Sequence, residues 1–315
     1  INYVRLKLWH TPADGYNNLE QVKAMARRIK DAGMGFLLNI HYSDTWADPG
    51  KQYKPAAWQD LDYDQLKAAV YSYTKKVVTE LGEQGTEPDI VQIGNEIPSG
   101  LLWNDGKLDG SSDQFRRLAG LLQAGIAGAK DAGCEAEIML HLDRGGNNAL
   151  YRWWFDSVIA EGVEFDLIGL SFYGYWHGGL TDLSDNLKDL ACRYDKGLIV
   201  VETAYPYTLA DQDGFGNLIG RENQLVAGYP ATVEGQTDWL VDLMNVVAGV
   251  PDGLGKGVFY WEPGWLGLPG CGWDPQSPAS GNEWENQALF DFDGHVLSSM
   301  DAFLTFSNPA SSLSR

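Results

Sequence analysis

At 315 residues, with 44% hydrophobic and 12% aromatic content, the chain is long enough for one large globular domain with a substantial core. Its 23 Lys and Arg stand against 43 Asp and Glu, a net charge of −20 that repels nucleic acid and anionic membranes and leaves a neutral partner as the expectation. Three cysteines without CxxC spacing argue against a disulfide framework or a zinc site, and no apolar run approaches the roughly 20 residues of a membrane span.

Short apolar runs alternate with longer amphipathic ones along the whole chain. In order, the expected elements are a strand from Tyr3 to Trp9, a helix from Leu19 to Ala32, a strand from Gly35 to His41 and a helix from Leu61 to Leu81. A strand from Ile90 to Asn95, a helix from Gln114 to Ala132, a strand from Glu137 to Leu142 and a helix from Ala149 to Ala160 follow. The chain then offers a strand from Leu167 to Phe172, a helix from Leu183 to Tyr194, a strand from Leu198 to Thr203, a helix from Gln236 to Val250 and a strand from Gly257 to Trp261. Strands that alternate with helices predict a parallel sheet, and near-continuous apolar strands predict one covered on both faces.

The fold class expected is α/β, a (β/α)8 TIM barrel forming one catalytic domain over residues 1–315. The doubly wound sheet is the alternative, but no glycine-rich phosphate loop follows the first strand. Seven strands are countable where a closed barrel needs eight, so the expectation is a barrel lacking its first βα unit, with two strand edges left unpaired.

The residues at the strand ends carry chemistry. Arg5 and Trp9, then His41 with Asp44 and Trp46, Asn95 and Glu96, His141 and Asp143, Tyr173, Glu202, and Trp261 with Glu262 occur there in turn. Five histidines without His-x-His spacing give no metal-hydrolase pattern. Two carboxylates on separate strands, flanked by aromatics, suit glycoside hydrolysis: one protonates the leaving oxygen and the other attacks or activates water. Glu202 in "LIVVETAYP" is the sharper of the two, Glu96 in "VQIGNEIPSGLLW" also suits a loop or cap carboxylate, and Glu262 before Pro263 reads as a structural loop contact. Trp261 and Trp265 in "FYWEPGW" follow the last strand, where a sugar ring would stack. "DQDGFGN", Asp211 to Asn217, fits a calcium loop and fits a plain Asp/Gly turn equally well.

Taken together, "HYSDTWADPGKQ", "VQIGNEIPSGLLW", "MLHLD", "LSFYGYWHG", "VVETAYPYT", "VFYWEPGW" and "ENQALFDFDG" resemble the bacterial endo-β-1,4-galactanases of glycoside hydrolase family 53, in order and over essentially the whole chain. The resemblance implies a retaining, secreted enzyme that cleaves β-1,4-galactan side chains of pectin, a monomer with a neutral polysaccharide as partner. It gives Glu96 the role of acid/base, Glu202 that of nucleophile, and Asn95 that of the group holding the sugar 2-hydroxyl. Arg5, Asp44, Trp46, His141, Tyr173, Trp261 and Trp265 fall on the remaining substrate-binding positions, with Arg5 expected to pair with Glu202. It also implies structural calcium held by Asp211, Asp213, Phe215, Asn217, Asn282 and Glu285, stapling a long loop from Tyr205 to Glu234. Family members begin with a strand and helix before the equivalent of Ile1, in line with the count of seven. The competing readings are an endo-glucanase or mannanase of related architecture and a barrel that binds sugar without cleaving it.

Overall fold

The computed structural model describes residues 1–274 and 277–305. Residues 275, 276 and 306–315 of the domain expected over 1–315 lie outside the described residues. Among the described residues seven parallel strands form one sheet in chain order, with helices between them, which is the α/β architecture of the (β/α)8 barrels. The chain divides into two compact units: Ile1–Asp143 with Ala149–Gly169, and Arg144–Asn148 with the chain from Leu170 onward.

The first unit contains β1 (Tyr3–Leu8), α1 (Leu19–Asp31), β2 (Gly35–Ile40), α2 (Tyr63–Glu83) and β3 (Ile90–Ile93). A two-stranded antiparallel hairpin, β4 (Gly100–Leu101) and β5 (Gly106–Lys107), precedes α3 (Gln114–Lys130), β6 (Glu137–Leu142), α4 (Asn148–Ala160) and the start of β7 (Leu167–Ser171). Register aligns Leu8 with Ile40 and Ile40 with Ile93, so these strands stop at one level and the residues after them emerge together. Two bonds extend the ladder past the strand ends, from His41 N to the Leu8 carbonyl at 3.0 Å and from Gly94 N to the Ile40 carbonyl at 3.0 Å.

Side-chain caps set the starts of α1 and α2. Asn18 accepts from the Gln21 backbone at 2.9 Å to open α1. Asp62 and Gln65 form a reciprocal capping box, so α2 begins at Tyr63 rather than Leu61. Its contact with α3 is close because Gly128 has no side chain: a Cβ there would lie 2.4 Å from the Tyr71 carbonyl oxygen.

The second unit contains the end of β7, α5 (Gly174–His177), α6 (Leu180–Tyr194), β8 (Gly197–Glu202), α7 (Val233–Ala248), β9 (Gly255–Val258) and α8 (Ala302–Thr305). Thr232 caps α7 through the Gly235 backbone, which moves its start ahead of the expected Gln236. Trp239 is fully buried between the Phe172 ring at 6.1 Å and the Tyr205 ring at 5.2 Å, and pins α7 to the strand ends.

The last strand departs from the expected Gly257 to Trp261. Leu198 pairs with Gly255 but Ile199 with Gly257, so Lys256 is an inserted residue and the strand begins earlier. Ladder bonds still run on, from Phe259 N to the Val200 carbonyl and from Trp261 N to the Thr203 carbonyl, both 2.8 Å, which carries Trp261 to the level of the residue after Glu202. Among the described residues no helix is long and apolar enough to cross a membrane.

Candidate active site

In the first unit a buried polar network surrounds Asn95, which is 5% exposed. Its amide oxygen accepts from Arg5 Nη2 at 2.7 Å and Asn39 Nδ2 at 3.0 Å, with Gln92 Nε2 at 3.3 Å, and its own Nδ2 donates to the Ala47 carbonyl at 2.9 Å. Arg5 Nε also donates to Gln92 Oε1 at 3.0 Å. The short bonds from Arg5 and Asn39 fix the amide's orientation, and one Asn95 amide hydrogen is committed to the Ala47 carbonyl. Asn39 and Gln92 lie inside β2 and β3 and are 1% and 0% exposed, so the polar core begins one layer below the strand ends.

Glu96 follows on a turn built by two left-handed residues, Gly94 at φ +79° and Glu96 itself at φ +46°. For a residue with a Cβ that conformation costs about 1–3 kcal/mol and has to be held by its surroundings. His141, fully buried, accepts the Glu96 backbone N–H at Nδ1 over 3.3 Å, with Gln92 Nε2 also at 3.1 Å from that atom. Donors on Nδ1 put the ring proton on Nε2. Burial first, then the Arg5 charge and His41, hold this imidazole well below its usual range, so it acts as a neutral group. His41 is likewise neutral, lowered first by burial and then by Arg5 and Lys7, and its Nδ1 accepts from Trp9 Nε1 at 3.3 Å and Ala47 N at 3.2 Å.

Trp46 packs edge-on against Trp9 at 5.2 Å, with Lys7 Nζ 4.7 Å above its ring. Asp44 accepts from two backbone amides, Thr11 at 2.9 Å and Ala56 at 2.8 Å, one on each carboxylate oxygen. That ties the loop after β1 to the loop after β2, a structural duty the sequence did not disclose.

In the second unit Glu202 is the last residue of β8 and 5% exposed. The Tyr173 hydroxyl donates to its Oε2 at 3.1 Å. Tyr173 in turn lies among Tyr175 at 5.8 Å, Trp176 at 5.5 Å and Trp284 at 5.5 Å. Trp176 is 49% exposed, and it and Trp284 join the rings around Tyr173 although neither was among the expected site residues. Trp265 is held by Nε1 to the Cys271 carbonyl at 2.7 Å. Glu262 is left-handed at φ +47°, and its backbone carbonyl accepts from Trp265 N at 3.2 Å.

The second unit also brings Asp211, Asp213 and Glu285 together, with one oxygen from each within 4.8 Å of the others. Glu285 is fully buried, and burial first, then the Asp213 and Asp211 charges, raise its pKa even though the Gln212 and Asp213 amides donate to Oε1. Its Oε2 and the Asn217 Oδ1 are buried without a hydrogen-bond partner among the described residues. A Cβ at Gly267 would come within 1.9 Å of that Oε2, so glycine keeps the space open. Oxygen-only donors with orphaned atoms and unbalanced charge fit a hard divalent cation. Of the other expected ligands, Asn282 donates its backbone N–H to Asp213 at 2.7 Å and its Oδ1 accepts from Trp284 N at 2.9 Å, while Phe215 N donates to Asp213 Oδ1 at 2.9 Å.

Residues 1–303 match the family described as "Glycosyl hydrolase family 53". A protein of Niallia circulans, described as "Uncharacterized protein in bgaB 5'region", is 48% identical over 305 residues, 96% of this chain and 82% of that protein. The "Endo-beta-1,4-galactanase" of Bacillus subtilis (strain 168) is 32% identical over 337 residues, covering 96% of this chain and 76% of that one. Among solved structures, the "Ignisphaera aggregans GH53 catalytic domain" superposes with a TM-score of 0.89 at 40% identity, over 96% of this chain and 84% of its own.

Proposed function

The chain belongs to glycosyl hydrolase family 53, and from that premise we propose that it hydrolyses β-1,4-galactosidic bonds within galactan chains, with retention at the anomeric carbon. The observation that carries the reading is Glu202 closing β8 with the Tyr173 hydroxyl on its Oε2: a buried strand-end carboxylate oriented by a tyrosine hydroxyl is held in place as a nucleophile must be.

In the first step a Glu202 oxygen bonds to the anomeric carbon as the bond to the leaving oxygen breaks, and Glu96 gives its proton to that oxygen. In the second, Glu96 takes a proton from water, the water oxygen bonds to the anomeric carbon and Glu202 leaves as carboxylate. Asn95, oriented by Arg5 and Asn39, offers its remaining amide hydrogen to the sugar 2-hydroxyl. His141 serves as a neutral donor through Nε2. Trp46, Trp261 and Trp265 supply ring faces for galactose and Tyr173 contributes through its hydroxyl, while Asp44 supports the site through the two loops it joins. A neutral polysaccharide also suits the net charge of −20, which disfavours anionic polymers.

Asp211, Asp213, Asn217 and Glu285, with Phe215 through its carbonyl and Asn282, would hold calcium. When bound, the ion neutralises the clustered carboxylates and fastens the loop after β8 to the segment around Glu285; it takes no part in the chemistry. The protein acts as a secreted monomer in this reading. The test is a reducing-sugar assay on galactan, cellulose and mannan, with NMR detection of the first anomer formed. Galactan cleavage with the β-anomer first is the expected result; preference for cellulose or mannan, an initial α-anomer, or galactan binding without turnover would overturn it.

A further inference from the structure

The segment after β2 places one more side chain against the turn that carries Glu96. Gln52 is 2% exposed, and its Nε2 lies 2.7 Å from the Asn95 carbonyl, 3.0 Å from the Glu96 carbonyl and 3.0 Å from the Asp48 carbonyl. A primary amide has two hydrogens, so one of them is shared and all the donor capacity of the group is spent on backbone oxygens. Gln52 is itself fastened from the far side of the turn: its carbonyl accepts from Trp103 N at 2.6 Å, and Ser99 Oγ donates to the Pro49 carbonyl at 2.8 Å. The peptide groups on both sides of Glu96 are therefore gripped by buried side chains, the N–H by His141 Nδ1 and the carbonyls by Gln52 Nε2.

That grip answers a physical need. Glu96 occupies φ +46°, a region that a residue with a Cβ leaves unless its surroundings hold it there. Rotating the Asn95–Glu96 or Glu96–Ile97 peptide out of place would turn the Glu96 side chain with it, and would also strip donors from carbonyls in a buried stretch. A general acid delivers its proton only within hydrogen-bond reach of the leaving oxygen, so angular slack at this residue converts directly into lost proton transfer.

We propose that Gln52 is a positioning residue for the acid/base: its amide locks the left-handed backbone of Glu96 and so aims the carboxyl at the leaving-group oxygen. The inference rests on the reading of Glu96 as the acid/base. The test uses Gln52→Met, which keeps length and removes both N–H donors, and Gln52→Glu, which keeps shape and sets a carboxylate against the carbonyls. Each is assayed on galactan and on an aryl β-galactobioside whose phenol is acidic enough to leave without protonation, beside Glu96→Ala and the parent.

For Gln52→Met and Gln52→Glu, kcat/KM on galactan is expected to fall about 10- to 100-fold, short of the loss at Glu96→Ala, while kcat/KM on the aryl substrate changes less than about threefold. A residue that serves only folding would lower both substrates by the same factor, in step with the fraction folded measured by circular dichroism. Equal losses on both substrates, no loss on galactan, or failure of both variants to fold would each overturn the proposal. If Glu96→Ala itself lowers both substrates equally, the acid/base reading fails; if Glu96→Ala separates them and the Gln52 variants do not, only the role of Gln52 fails.

Discussion

Replacing Glu285 with Gln should reverse the order of thermal stability between calcium and chelator. In the parent, Glu285 shares a cluster with Asp211 and Asp213 in which the oxygens lie within 4.8 Å of one another. Two like charges at that distance repel by about 1 kcal/mol in the dielectric of water, the appropriate limit because both aspartates are exposed and screened. Neutralising Glu285 removes two such pairs, about 2 kcal/mol. Weakening its acceptance of the Gln212 and Asp213 amides returns about 1 kcal/mol of that. In chelator the variant should therefore melt about 1–2 °C above the parent, since a chain of this length shifts by roughly that much per kcal/mol. With calcium at a hundredfold excess over its dissociation constant the parent gains about 2.7 kcal/mol, or about 4 °C, and the variant gains little, so the order inverts. The pH dependence has a definite sign. Glu285 has a folded-state pKa raised by burial and by its neighbours, so without calcium the fold binds this proton more tightly than the unfolded chain does. Its cost is absent below the unfolded carboxylate pKa, grows as pH rises towards the folded value and is complete above it; Gln at 285 abolishes that slope. The assay is a calorimetric melt at pH 7 and low salt, in EGTA and in calcium. Equal midpoints of the parent in both media, or a variant below the parent in both, would refute the reasoning.

Three further outcomes are expected. Glu202→Ala should lower kcat on galactan by about 10⁴-fold or more while calorimetry still detects binding of galacto-oligosaccharides; turnover within tenfold of the parent would remove Glu202 from the chemistry. His41 and His141 should stay neutral through the ordinary imidazole titration range in ¹⁵N-detected NMR titrations, because burial and then Arg5 depress both. Each then favours the fold fully above the unfolded pKa of about 6.5 and loses that contribution as pH falls, and a midpoint near 6.5 for either would contradict its placement. Gly128→Ala gains about 1 kcal/mol of helix propensity but drives a methyl to 2.4 Å from the Tyr71 carbonyl. Overpacking at about 1–3 kcal/mol wins, so the urea midpoint should drop at constant slope, whereas an unchanged or higher midpoint would show that α2 and α3 can part.

The order of elements was legible because most strands are largely apolar runs and the helices between them are amphipathic, with side-chain caps marking the starts of α1, α2 and α7. Where boundaries moved, local chemistry moved them: Asp62 and Thr232 began helices at residues that hydrophobic spacing does not register, and the extra Lys256 shifted β9. The strand-end residues Glu96, Asn95, His141 and Glu202 stood out because a charge or an amide directly after an apolar run is anomalous. Asn39, Gln92 and Gln52 did not, although a polar residue inside "FLLNI" or "IVQIG" carries the same message, since a buried amide demands partners. Asp44 shows the opposite difficulty. Its position after β2 is right for a ligand contact, but only coordinates reveal two backbone amides on its oxygens.

The backbone makes unequal demands at the two carboxylates. Glu202 ends a regular strand, where most side chains are accommodated, whereas Glu96 occupies a left-handed turn that β-branched residues resist by about 1–2 kcal/mol. In terms of descent, the two codons are differently free to drift. On the proposed mechanism a change at 202 erases cleavage and leaves the path of the chain and the Asn95 amide as they were; most changes at 96 also require the turn to be rebuilt. Lineages of this fold that abandon hydrolysis but keep capturing sugar should therefore carry their lesion at the end of β8, with Asn95, Glu96 and Gln52 retained beside it.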